Sequence, residues 1–232
     1  YCKQLINWEM DLMKQADIVL CSSEYLKEKV ISRSGINREV HIINNAISLP
    51  QIRHFDSFPS KVQDAINLLK SLKCSLLYIG TISQWFDFKL ICEALDKKED
   101  VQLVLIGPKD CDIPSHKQIH YIGSVERQYI YSLMEQASAL VMPFIVNELI
   151  RSVNPVKMYE YIYMEKPIIA PHYGEMEKFL PYINLYHDND EFMSLVDQLS
   201  KSELQISSEK GNEMKGFAEK NTWESRYEEV KK

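Results

Sequence analysis

No apolar run in this 232-residue chain reaches the roughly 18 residues that a membrane-spanning helix needs, so a transmembrane reading is set aside. Cysteine is scarce and unpaired. Cys2, Cys21, Cys74, Cys92 and Cys111 stand singly, odd in number and without Cys-x-x-Cys spacing, which argues against a disulfide framework or a zinc site and for a reducing compartment. Positive charge is also short. With a formal charge of -6 and no basic run, the chain lacks the footprint expected of a nucleic-acid binder, and direct binding to anionic lipid is disfavoured. Internal repeats, low-complexity tracts and a secretory leader are likewise not legible. The chain opens inside a helical pattern, YCKQLINWEMDLMKQAD, without an initiator methionine, and a preceding region is expected.

What is present is ordinary globular material. At 45% hydrophobic the chain can bury a sizeable core, as one large domain with an appendage. Strands are expected at Ile18-Cys21, Val40-Asn44, Ser75-Gly80, Val101-Gly107, Ile119-Ile122, Ala139-Phe144, Pro167-Ala170 and Ile183-Tyr186. Helical patterns lie between most of them, at Ser60-Leu72, Phe86-Lys97, Arg127-Gln136, Pro155-Met164, Asp190-Ser200 and Ser207-Glu219. Strands that are apolar without alternation are covered on both faces, so the repeated order predicts an α/β fold with a doubly wound parallel sheet. A boundary is expected near Ile47-Pro59, where two prolines and polar residues break the pattern. In the last stretch, Asn221 reads as an N-cap with Glu224 at the capping-box position.

Ligands of such sheets bind at the carboxyl ends of strands. Four junctions qualify: Gly80-Thr81, Gly107-Pro108, Gly123-Ser124 and the segment Pro143 to Lys157. The last is the most informative. Asn154 reads as an N-cap, Pro155 suits a first helical turn, and Lys157 adds positive charge where free N-H groups already attract anions. The same residues also fit an ordinary capped helix with a solvated lysine. Glu160 reads either as a surface partner of Lys157 or as an acceptor for two ribose hydroxyls.

The ordered segments ADIVLCSSEYL, VHIINNAIS, LLYIGTI, LVLIGP, IHYIGSV, ALVMPF and KMYEYIYMEKPIIAP resemble the C-terminal part of a retaining GT-B-fold glycosyltransferase, over nearly the whole chain. NPVKMYEY and GTISQWFDF resemble a subgroup associated with bacterial surface-polysaccharide synthesis. The resemblance implies a remnant of the N-terminal, acceptor domain and hinge over 1–50, a Rossmann-like nucleotide-sugar domain over 51–220, and a C-terminal helix over 221–232 packing toward the N-terminal domain. It implies a donor site drawn from Gly80, Thr81, Gly107, Gly123, Val125, Ser152, Asn154, Pro155, Val156, Lys157 and Glu160, with Glu160 on the ribose. The expected donor is a uridine diphosphate sugar. No cofactor and no metal are expected, and the acceptor, a saccharide or a lipid-linked one, would be held by the missing domain. The expected location is cytoplasmic, with peripheral attachment at the inner face of the plasma membrane left open and no membrane contact through this half.

Two departures from the family pattern stand out. Many members carry an Arg directly after the Gly of the first strand and a Lys shortly after, both on the pyrophosphate, whereas this chain has Thr81 and then Trp85, Phe86 and Asp87. Many also carry a Glu where this chain has Ser152. Lys157, with Arg151, is therefore expected to replace the lost charge and to serve catalysis. Alternatives are a non-catalytic nucleotide-sugar module or scaffold subunit, and a GT-B-fold nucleotide-sugar epimerase. Glu148 reads as solvated or as a contact to sugar hydroxyls, and Trp85 and Phe86 as packing over a ligand or on a helix face. His41, His54, His116, His120, His172 and His187 show no metal spacing, and His172 alone falls near the expected cleft.

Overall fold

The computed structural model describes residues 3–35, 39–50 and 55–231, so Cys2, His54 and part of the expected boundary lie outside the described residues. The first elements are α1 (Lys3–Gln15), β1 (Val19–Cys21), α2 (Glu24–Ser34) and β2 (Val40–Ile42). Strands β1 and β2 pair in parallel, Val19 opposite Val40, as a two-stranded sheet of their own. Val19, Cys21 and Val40 are buried beside α2, while Ile18 and Leu20 are exposed.

The larger sheet follows. Its elements are α3 (Ser60–Ser71), β3 (Cys74–Ile79), α4 (Phe88–Lys97), β4 (Val101–Ile106), β5 (Ile119–Gly123), a 3-10 turn at Arg127–Tyr129 leading into α5 (Ile130–Met134), and β6 (Ala139–Val141). Then come α6 (Glu148–Arg151), α7 (Val156–Tyr163), β7 (Ile168–Pro171), β8 (Asn184–Tyr186), α8 (Asn189–Ser200), α9 (Ser208–Lys220) and α10 (Trp223–Val230). The six strands are parallel in the order β5-β4-β3-β6-β7-β8, so the winding reverses between β3 and β6. Such a reversal opens a crevice at the carboxyl ends of the two strands.

Both faces of the sheet are covered, as the uninterrupted apolar strands require. Leu77, Ile79, Val104, Ile106, Leu140 and Ile168 pack against α3, α5, α7 and α9. Leu76, Tyr78, Leu103, Leu105, Val141 and Ile169 pack against α4 and α8. Neighbours in sequence thus serve opposite layers, and each fully buried Leu or Ile contributes about 1.5–3 kcal/mol.

Strand β6 pairs with β3 only at Ala139 opposite Leu76 and Leu140 opposite Leu77. Beyond that point the N-H of Ile79 donates instead to the hydroxyl of Tyr161, at 3.0 Å. Tyr161 comes from α7 and is fully buried, and burial pushes its phenol well above the ordinary range.

Two expected helix ends are corrected. Helix α4 starts at Phe88, because Asp87 accepts from the N-H of Leu90 at 2.9 Å and Phe86 instead pairs with Phe144. Asn221 does not cap α10: α9 runs on to Lys220 and takes Asn221 as its C-cap, and Thr222, in extended conformation, accepts from Ser225. No capping box with Glu224 forms. Asn221 and Thr222 instead meet the segment after β2: Ile47 N-H donates to Asn221 O at 3.0 Å, and Arg226 Nε donates to Asn44 O at 3.1 Å.

Replacing Tyr161 by Phe leaves the Ile79 N-H buried without its acceptor, and is expected to lower the unfolding free energy by about 1–3 kcal/mol. Urea denaturation checks this, and a midpoint equal to the parent's would show that the bond contributes nothing.

Candidate functional site

The floor of the site is three glycine turns at the ends of adjacent strands. Gly80 N-H donates to Ile106 O at 2.9 Å, and Gly107 N-H donates to Gly123 O at 3.1 Å. Gly107 has φ +140°, and a Cβ there would fall 2.1 Å from the carbonyl oxygen of Gly80. Gly123 has φ +80°. Only glycine accepts this combination of backbone and proximity, which packs the turns into one surface. Thr81 is exposed on it, and its carbonyl accepts from the Tyr78 hydroxyl at 2.8 Å. Val125, past the third turn, is half-buried against the core.

The segment from Thr81 to Asp87 is structural. Phe86 is 3% exposed, with its ring 5.0 Å from that of Tyr78 and 4.5 Å from that of Phe88. Trp85 packs on the opposite layer, and its carbonyl receives Ile145 N-H. Both residues therefore take the packing role left open above.

Across the crevice stands the start of α7. Asn154 was expected to cap it and does not. It is buried, with Oδ1 accepting from Asn45 N-H at 3.0 Å and from the Tyr159 hydroxyl at 3.3 Å, while its amide donates to Glu175 at 3.1 Å. Its side chain is spent on neighbours, and Pro155, expected in the first helical turn, instead stands in extended conformation just before α7, which starts at Val156 with no side-chain cap. A helix start without a cap keeps its anion-seeking N-H groups available. Val156 is exposed on the first turn.

One turn in, Glu160 is buried at 5% exposure, and its two oxygens face two cations. Lys157 Nζ lies 2.6 Å from Oε2, and Arg127 Nη2 lies 3.4 Å from Oε1. The pair with Lys157 exists, but it is not a surface pair. The Tyr131 hydroxyl lies within electrostatic range of Glu160 and Arg127, buried and without a well-formed hydrogen bond. Burial first, and the Glu160 carboxylate second, push its phenol up. Arg127 was not foreseen as a site residue. A cation at a helix start is commonplace, and its meeting with a residue 33 positions on depends on strand order.

Ser152 and Arg151 are placed elsewhere. Ser152 Oγ donates to Leu149 O at 2.6 Å, and its carbonyl accepts from Ser23 Oγ at 2.9 Å. Arg151 lines a cavity of about 590 Å³ between α2 and the larger domain, with Glu24, Tyr25, His172, Tyr173 and Glu175 among its walls. Lys157 and Glu160 are not among that cavity's lining residues, so Arg151 and Lys157 serve different walls. Glu148 is 68% exposed and bonded to Lys29 at 2.8 Å and Tyr25 at 3.1 Å, which together hold its carboxyl below the usual range. His172 lines the same cavity as Arg151, and its Nε2 meets Glu177 Oε1 at 2.8 Å.

A second unforeseen residue is Glu175. It is 3% exposed and receives the N-H of Glu24, the first residue of α2, at 2.8 Å, Asn154 at 3.1 Å and Lys178 at 3.1 Å. A carboxylate at a helix N-terminus is stabilised by the helix dipole, and here it ties α2 to the larger sheet. Among the described residues, no group of three or more His, Cys, Asp or Glu side chains is placed to hold a metal ion.

Comparison with known proteins identifies the fold. Over 99% of its length the chain superposes on Anabaena Alr3699/HepE, solved in complex with UDP-glucose, with a TM-score of 0.75, 12% identity and 67% of that chain covered. It also superposes on sucrose-phosphate synthase from Thermosynechococcus elongatus, with a TM-score of 0.71, 14% identity, and 98% of this chain and 60% of that one covered. The fold is that of a GT-B glycosyltransferase. In sequence it is 24% identical, over 243 aligned positions, to the putative teichuronic acid biosynthesis glycosyltransferase TuaH of Bacillus subtilis strain 168. That alignment covers 99% of this chain and 59% of TuaH, so the chain spans little more than half of its relative's length. No family model matches.

Replacing Gly107 by Ala is expected to cost about 2–4 kcal/mol, from its positive φ and from the clash with Gly80. A thermal melt of G107A that overlays the parent's would refute the close-packed floor.

Proposed function

We propose that this chain is the donor-binding half of a glycosyltransferase that uses a nucleoside diphosphate sugar, with uridine diphosphate as the expected carrier. One observation supports this most directly: a buried carboxylate, Glu160, faces Lys157 across the start of an uncapped helix at the topological switch point. A carboxylate offers about four acceptor sites, and the two cations leave room for a pair of ribose hydroxyls. The glycine turns provide close backbone approach, as a diphosphate requires.

In the reaction, the bond from the sugar's anomeric carbon to the diphosphate oxygen breaks and the electron pair leaves with the diphosphate, while an acceptor hydroxyl oxygen bonds to the anomeric carbon and its proton passes to the departing diphosphate. Lys157 and the N-H groups at the start of α7 are placed to stabilise that charge. Arg151 and His172 face the cavity beside α2, where the sugar and acceptor would meet. The acceptor would be bound by the part of the enzyme that completes the relative's length, for a polysaccharide or lipid-linked product. Among the described residues, Cys21, Cys74, Cys92 and Cys111 are free, which fits a cytoplasmic location, and no helix is long and apolar enough to cross a membrane.

A second reading follows from the segment Thr81 to Asp87. Its aromatic and acidic side chains serve the core and a helix cap, and none supplies a cation, which fits a module that binds the donor without turning it over.

Isothermal titration with uridine diphosphate is expected to show binding by this chain. Glu160→Ala should weaken it by about 1–3 kcal/mol, the range for hydrogen bonds to a charged group. Equal affinity in parent and variant would remove Glu160 from the site.

A further inference from the structure

We propose that Arg127 binds the diphosphate of the donor, supplying with Lys157 the positive charge that the loop after β3 does not. The inference rests on the nucleotide-sugar reading above and goes beyond it, since Arg127 comes from a different strand end and replaces Arg151 as the partner of Lys157.

Three features carry it. Arg127 and Lys157 sit on opposite oxygens of one buried carboxylate, at 3.4 and 2.6 Å, so the two cations are only about a carboxylate's width plus two contacts apart. Glu160 brings one negative charge against two positive ones, and the cluster keeps an excess cation beside an uncapped helix start. The Arg127 side chain is 72% exposed and commits Nη2 to Glu160, leaving much of its donor fork for an incoming anion. A planar guanidinium suits two phosphate oxygens at once, which an ammonium does not.

The surroundings fit the same reading. The buried Tyr131 hydroxyl, within electrostatic range of Arg127 and Glu160, lacks a well-formed hydrogen bond, so the protein's own groups do not complete the polar cluster. A buried polar atom left this way is costly unless a ligand or water completes it. Arg151, by contrast, lines the cavity beside Glu24, Glu28 and Glu175, a wall of carboxylates ill suited to a diphosphate. The geometry also gives Glu160 two tasks. It holds both cations in place, and with the donor bound it receives the ribose hydroxyls while the cations turn to phosphate.

The test is calorimetric titration of the whole chain with uridine diphosphate and, separately, with uridine, for the parent, Arg127→Ala and Arg127→Lys. For R127A, affinity for uridine diphosphate should fall by about tenfold or more, as loss of a charge-assisted contact implies, with uridine affinity little changed. R127K should lie between R127A and the parent, because it restores the charge without the fork. Equal binding of uridine diphosphate by parent and R127A overturns this proposal alone. Equal loss of both ligands in R127A also overturns it, and assigns Arg127 to the nucleoside or to holding Glu160. A parent that binds neither ligand overturns the donor reading, and this proposal with it. The large exposure of Arg127 makes unfolding of the variants avoidable, and matched thermal midpoints establish that they fold.

Discussion

The bond between the Ile79 N-H and the Tyr161 hydroxyl is the constraint on which the site depends. Where the winding reverses, β6 turns away from β3 after two pairs, and the backbone of β3 would be left with a buried, unpaired donor. An aromatic side chain from α7 fills the gap and accepts that donor. The filler and Glu160 are adjacent residues on one helix, so the device that lets the sheet open also fixes where the carboxylate stands. Fold and site are joined at two consecutive positions.

The three glycine turns contribute in a different way. They bring the carbonyls and N-H groups of β3, β4 and β5 to one level, leaving a shallow floor with no side chain rising from the glycines themselves. Lys157 and Glu160 come from α7, after β6, and Arg127 follows the third glycine turn, after β5. The strand ends thus bring polar backbone together with charged side chains. Such a combination gives a phosphate-bearing ligand oriented donors without requiring a deep pocket.

The central strands β3, β6 and β7 were legible in the sequence because they are apolar runs buried on both faces, and the outer strands because short apolar stretches recur between helical patterns. The glycine junctions and the helix carrying Lys157 and Glu160 were legible for the same reason, since they follow directly from strand ends. Reading by sequence spacing failed where a side chain had a distant partner. Asn154 has the composition of a cap, yet its bonds go to Asn45 and Glu175, 109 and 21 positions away. Asn221 failed by one residue, because α9 runs a turn's end further and Thr222 takes the capping role. Arg127 and Glu175 carried no local signal at all. Their roles arise only when the strand order brings separate loops together.

The seam between the two sheets has a mechanical consequence. Asn45, just past β2, grips Asn154 by two hydrogen bonds, at 3.0 and 2.6 Å, and Asn154 is followed at once by Pro155 and the first turn of α7. Proline fixes its own φ, so this link has little slack in which to absorb a twist. The start of α7, which carries Lys157, is therefore held to the β1-β2 unit by these two bonds. The alignment of the anion-facing turn is then set from outside the sheet that contains it.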